Sequence, residues 1–250
     1  GVDIVVMVHG SGGNFYATPS NPRAGRLRSM GVPVVLFNTR GHDVVAGHSG
    51  GKRVGNAYEV LDECRLDMAA AVDWCAGRGF QRVCLLGSSL GAVKVVYAQA
   101  HNQDPRVAAV VSLSPLRLSH RYFLASELGD DHRRFWERSK ALANAGESDT
   151  LMEVTFPISH HFSAAVYLDR HCTERYDLTA AHTDRVSTPL LILGGSTETH
   201  PRMRDAVRDM AALAKGQPRT RSLVVEGGDH GLQNRDEEFF AALLDFLTAL

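Results

Sequence analysis

Apolar residues along this chain come in short, nearly unbroken runs: Ile4 to Val8, Val34 to Phe37, Arg82 to Leu86, Ala108 to Leu113, Leu190 to Leu193 and Ser222 to Val225. The runs do not alternate with polar residues, as strands covered on both faces require. Between them lie longer stretches with helical periodicity, at about 61–77, 90–101, 201–214 and 236–249. In the first of these Leu61, Met68, Val72 and Cys75 share one face. Strands that alternate with helices predict an α/β fold with a doubly wound, mainly parallel sheet.

The segment from 117 to 185 breaks this rhythm. Two amphipathic stretches, near 130–144 and 159–170, read as helices with no clear strand between them. The expectation is one domain over residues 1–250, with a helical cap at 117–185 inserted between core strands. Tyr122, Phe123, Phe135, Trp136, Phe156, His160, His161, Phe162 and Tyr167 enrich that segment in aromatic rings. Such residues either line a pocket beneath the cap or pack the cap on the core.

Composition narrows the function classes. Lys and Arg total 27 against 28 Asp and Glu, so there is no electrostatic footprint for nucleic acid or an anionic membrane, and a small, roughly neutral substrate fits better. Cys64, Cys75, Cys84 and Cys172 form no CxxC pair, which speaks for free thiols and against a structural metal. No apolar run approaches the roughly 18 residues of a membrane span, and no leader-like segment opens the chain, so a cytoplasmic location is expected. The chain begins almost directly inside a strand, which fits a processed or truncated N-terminus as well.

The strongest chemical signal is Arg82-Val83-Cys84-Leu85-Leu86-Gly87-Ser88-Ser89-Leu90-Gly91-Ala92, a buried strand running through GxSxG into a helix. The sharp turn needs glycines on either side of the serine, and it lifts the hydroxyl of Ser89 above the sheet edge. The helix from Leu90 then aims free N–H groups at that point. Ser88 is a neighbour that lines the same place.

With that motif in its strand–turn–helix setting, the chain resembles the α/β-hydrolase superfamily from its first strand to its last helix. The resemblance implies the chain order Ser, acid, His. His230, in Glu226-Gly227-Gly228-Asp229-His230-Gly231 after the last strand, takes the place of the general base; Asp229 beside it is structural or solvated. Glu198, in Gly194-Gly195-Ser196-Thr197-Glu198, takes the place of the acid, where the family more often has aspartate; Asp205 and Asp184 are the alternatives. The loop His9-Gly10-Ser11-Gly12-Gly13-Asn14 resembles the family's HGxxG segment, which implies an oxyanion hole from the backbone N–H groups of Ser11 and Leu90, with His9 stabilising the loop. Asn38-Thr39-Arg40-Gly41-His42-Asp43 resembles a loop-stabilising family turn, which makes Arg40 and His42 structural. Asn14, Phe15 and Tyr16 join Ser88 as candidate substrate contacts, and Lys94 is expected to meet solvent or a nearby carboxylate. Family members commonly open with an antiparallel strand pair that this sequence does not show.

The expected chemistry is hydrolysis of a carboxylic ester of a small, largely apolar substrate through an acyl-enzyme, with no metal and no organic cofactor. Thioester, lactone or amide cleavage would use the same residues. Two further readings stay open: lyase or acyltransferase chemistry on the same fold, and a ligand-binding homologue without turnover. The oligomeric state is not legible.

Overall fold

The computed structural model describes all residues except 18, 19, 48, 49 and 218. Its elements, in chain order, begin with β1 (Ile4–Val8), α1 (Ser20–Ser29), β2 (Val34–Leu36), β3 (Ala46–Gly47), β4 (Arg53–Val54), α2 (Cys64–Ala76), β5 (Val83–Ser88), α3 (Leu90–Asn102) and β6 (Val107–Leu113). They continue with α4 (His120–Ala125), α5 (Gly129–Asn144), β7 (Leu151–Val154), β8 (His160–Ser163), α6 (Ala164–His171), β9 (Leu190–Gly195), α7 (Ala206–Leu213), β10 (Thr220–Val225) and α8 (Asp236–Thr248).

Six strands form one sheet in the order β10-β9-β6-β5-β1-β2, and every neighbouring pair in it is parallel. The pleat sorts side chains between two apolar layers. Ile4, Val6 and Val8 of β1 face α2, α3 and α7, while Val5 and Met7 face α1 and α8. Both faces of the central strands are covered, which is why their sequences are continuously apolar. The chain enters the sheet at β1 and winds outward in both directions, so the turns at the C-terminal ends of β1, β5, β9 and β10 gather at one edge.

Three elements differ from the sequence reading. Helix α1 carries a polar sequence with a proline and a glycine, and among its described side chains only Leu27 and Arg23 are buried; Arg23 lies over the Phe239 ring at 4.2 Å and bonds Asp236 at 2.6 Å. The inserted segment is not purely helical, because Leu151–Val154 pairs with His160–Ser163 as an antiparallel hairpin ahead of α6. The predicted helix at 159–170 is therefore a strand followed by a shorter helix, Ser163 capping the latter by accepting from the Val166 N–H at 3.2 Å. The helix expected at 201–214 starts only at Ala206.

The inserted segment has a core of its own. Phe123, Phe135, Met152, Val154, Phe156, Phe162 and Tyr167 pack together, so most of its aromatic rings serve packing within the segment. Cys64, Cys75 and Cys84 are buried free thiols and Cys172 is a half-buried one. Among the described residues, no helix is long and apolar enough to cross a membrane.

Gly25 is exposed on α1, and a Cβ there would meet nothing within 4 Å. Gly25→Ala is expected to raise stability by about 0.5–1 kcal/mol through helix propensity alone. Urea denaturation checks this, the expected sign being a higher midpoint at unchanged slope.

Candidate functional site

Strand β5 ends and α3 begins within one residue, and that residue is Ser89, at φ 59° and ψ −120°. A non-glycine residue there is strained by about 1–3 kcal/mol. The neighbouring glycines show why the turn can be so tight. A Cβ on Gly87 would come 2.0 Å from the Gly91 carbonyl oxygen, and one on Gly91 would come 2.3 Å from that of Val8. The β1 loop presses equally close, a Cβ on Gly10 falling 3.0 Å from Ser89 Cβ and 3.4 Å from its Oγ. The Ser89 N–H is held by the Leu113 carbonyl at 2.9 Å, while the Leu90 N–H opens the helix and has no partner inside it.

The loops after β9 and β10 are stitched to each other. Gly195 lies so close to Gly228 that a Cβ would fall 2.0 Å from the Gly228 oxygen. Thr197 Oγ1 donates to that oxygen at 2.7 Å, and the Gly227 N–H donates to Ser196 Oγ at 2.8 Å. This places Glu198 Oε1 2.6 Å from His230 Nδ1. The Glu198 side chain is 10% exposed and the imidazole 39%. Asp205 instead faces Arg208 at 3.2 Å, and Asp184 lies in a separate turn, so Glu198 is the carboxylate that meets the ring. Asp229 accepts from the Gln233 N–H at 2.6 Å and shapes the turn. Next to His230, the Gly231 N–H donates to Ser114 Oγ at 2.9 Å, and a Cβ on Gly231 would lie 3.8 Å from Ser88 Oγ. The histidine turn thus packs on the serine turn, yet no hydrogen bond joins Ser89 Oγ to His230 in this conformation.

The β1 loop is held from outside. Asn14 donates to Asp43 at 2.7 Å and accepts from the N–H groups of Tyr16 and Ala17, so both ends of its amide are used within the loop region. Tyr16 OH donates to Asp43, and that bond with those from Asn14 and His42 holds the Asp43 carboxyl down at about 2. Phe15 and Tyr16 are 46% and 56% exposed at the rim. Arg40 bridges Asp67 and Glu63, and His42 pairs with Asp43 at 2.8 Å. His9 Nε2 accepts from the Thr39 N–H at 3.2 Å, which leaves Nδ1 to donate to the Gly10 carbonyl at 2.9 Å. Burial, then the charge of Lys94, lower the His9 pKa to about 4.

Of the two partners expected for Lys94, solvent and a nearby carboxylate, the structure shows the carboxylate. Lys94 is fully buried rather than solvated, with Nζ 2.6 Å from Glu59 Oε1 and 3.1 Å from Thr39 Oγ1. Glu59 also meets Arg170 of α6 at 3.0 Å, and Arg170 bonds the Asn56 amide oxygen at 2.7 Å. The available signal was a lysine in a helix that is apolar on all sides. A second cluster, His120, His132 and Cys172, sets three donor atoms within 4.8 Å of one another. There His120 Nδ1 and His132 Nε2 are spent on each other at 2.8 Å, and burial pushes the Cys172 thiol up, away from the thiolate a metal needs.

Sequence comparison agrees with this architecture. The profile of the Alpha/beta hydrolase family matches residues 5–243, and the chain belongs to that family. No curated protein matches it in sequence. Among solved structures it is similar to a monoacylglycerol lipase from Paleococcus ferrophilus, at 18% identity over 98% of this chain and 93% of that one, with a TM-score of 0.69. It is also similar to the alpha/beta hydrolase GrgF from Penicillium sp. sh18, at 16% identity over 98% and 89%, TM-score 0.70. A third is Est1E from Butyrivibrio proteoclasticus with ferulic acid bound, at 16% identity over 98% and 88%, TM-score 0.67. At such identities the likeness speaks for the fold.

Two outcomes are expected. Gly91→Ala, which would drive a methyl into the β1 backbone, should destabilise the protein by about 3 kcal/mol or abolish folding, read as a fall in melting temperature. For His9 the folded pKa lies below the unfolded one, so its contribution is complete above about pH 6.5 and is lost as pH falls toward 4. On the order of 3 kcal/mol disappears over that window. Urea midpoints measured from pH 7.5 to 4.5 should fall less steeply for His9→Gln than for the wild type.

Proposed function

We propose that this protein is a serine hydrolase that cleaves a carboxylic ester through an acyl-enzyme. Ser89 is the nucleophile, His230 the general base, and Glu198 the carboxylate that holds the imidazole in its Nδ1–H tautomer. The observation that carries this reading is the 2.6 Å Glu198–His230 contact beside a serine held in a strained elbow.

A rotation of the Ser89 side chain brings Oγ to His230 Nε2; such contacts are often loose without substrate and tighten in the complex. Nε2 takes the hydroxyl proton as Oγ attacks the ester carbonyl. The N–H groups of Ser11 and Leu90 receive the oxyanion, and neither donates to a protein acceptor among the described residues. Collapse of the tetrahedral species breaks the C–O bond to the alcohol, which leaves with the proton from Nε2. Water, deprotonated by the same nitrogen, then attacks the acyl carbon, and the acid and free Ser89 are released. The exposed Phe15 and Tyr16 rings stand at the rim where an apolar leaving group would pass. No metal or organic cofactor enters these steps, and a small-molecule ester is the only partner they require.

Hydrolysis of p-nitrophenyl esters of graded acyl length tests the proposal. Ser89→Ala and His230→Ala should each lower kcat/KM by roughly 10³-fold or more, and Glu198→Gln by roughly 10²-fold or more. A wild type that turns over no ester and is not labelled at Ser89 by a fluorophosphonate would overturn the mechanism.

A further inference from the structure

More positive charge is buried beneath the inserted segment than the protein neutralises there. Arg202, in the loop after β9 that also holds Glu198, is 1% exposed. Its Nε and Nη2 are enclosed without a hydrogen-bond partner. The charge nearest in effect is not a carboxylate but the cation Arg170, which adds to burial in pulling the Arg202 pKa down to about 9. Glu59 is the fully buried carboxylate of this cluster, and Lys94 at 2.6 Å and Arg170 at 3.0 Å already share it; the half-buried Asp169 also acts on Arg170. His171 of α6, on which Arg202 is the charge that acts most, is completely buried with neither ring nitrogen bonded. Burial, then the charges of Arg202 and Arg170, hold that ring neutral, so it offers one unused N–H.

An enclosed guanidinium without a counter-ion costs several kcal/mol, and a ligand that supplies the anion removes that cost. The planar fork of arginine matches a carboxylate in two-point contact. Chain position ties this unmatched charge to the proposed reaction centre. Arg202 follows Glu198 by four residues in one loop. Arg170 and Arg202 are the charges that act most on His160, whose Nε2 lies 3.2 Å from where a Cβ on Gly12 would sit, against the oxyanion loop.

We propose that Arg202, together with the unused His171 N–H, receives a carboxylate carried by the substrate, so that the ester cleaved at Ser89 is one that bears a free acid group. The carbon skeleton between acid and ester remains apolar, as the rings of Phe156 and Phe162 nearby require. This inference rests on the serine hydrolase reading above.

The test compares isosteric neutral and acidic esters: p-nitrophenyl pentanoate with mono-p-nitrophenyl glutarate for an acid on the acyl side, and ethyl butyrate with butyrylglycolate for one on the alcohol side. The wild type should prefer the acidic member of one pair by roughly tenfold or more in kcat/KM, and Arg202→Met should erase that preference. Arg202→Met should fold, with a melting temperature at or above that of the wild type, since it removes an unneutralised charge. Equal rates on both members of both pairs, or a preference that survives Arg202→Met, would overturn the proposal. If no ester is cleaved, fluorophosphonate labelling of Ser89 reports separately on the hydrolase reading. In that case monomethyl glutarate should still raise the melting temperature of Ser89→Ala and fail to do so in Ser89→Ala/Arg202→Met; no shift in either overturns the carboxylate site. A shift with inorganic phosphate but not with monomethyl glutarate would mean a site for free anions, and would overturn the assignment to substrate.

Discussion

One carboxylate, that of Glu59, joins three parts of the molecule that are far apart in sequence. With no exposure to solvent it meets Lys94 of α3 on one side and Arg170 of α6 on the other. Lys94 in turn bonds Thr39, and Thr39 bonds His9, so the helix behind Ser89, the turn after β2 and the loop after β1 share one buried network. Desolvation makes such a cluster a poor source of net stability, but removal of any member leaves a buried charge uncompensated at a cost of about 3–5 kcal/mol. What the network supplies is position, because few arrangements of the three segments satisfy all of its members together. A Cβ on Gly41 would fall 2.3 Å from the Glu59 carboxyl group, so the turn after β2 closes directly over it.

The six main strands were legible to within about two residues: the inner four because burial on both faces makes their sequences continuously apolar, and β2 and β10, at the sheet's edges, from short β-branched runs. The elbow was legible for a related reason: the collisions at Gly87 and Gly91 are steric demands that leave only glycine possible. What stayed hidden depends on context. Helix α1 buries one leucine and one arginine among its described side chains, too little to give its sequence a period. The hairpin strands are four residues each, and His160-His161-Phe162-Ser163 runs straight into a helical pattern, so local periodicity merged the two. Glu198 was found by chain order, but its contact with His230 follows from the close approach of Gly195 and Gly228, which no local pattern encodes.

Charge shows the same limit. A net formal charge of −1 is a sum over the whole chain and says nothing of the balance around any one enclosed group. The local balance is set by which side chains burial collects, and around Arg202 it collects cations. Arg202 itself sits in a stretch, Thr199-His200-Pro201-Arg202, that reads as an ordinary polar loop. Only the absence of a partner in an enclosed setting distinguishes it from the arginines at the surface.

The grip of Arg170 on Glu59 and Asn56 also bears on access. The inserted segment is keyed to the core by a fully enclosed guanidinium, so its seating is set by where Glu59 and Asn56 stand. Phe15 and Tyr16 stand exposed at the periphery instead, Tyr16 with its hydroxyl bonded to Asp43. For the proposed reaction, an insertion seated in this way is a fixed wall beside the Gly12 loop rather than a moving part, His160 lying against that glycine.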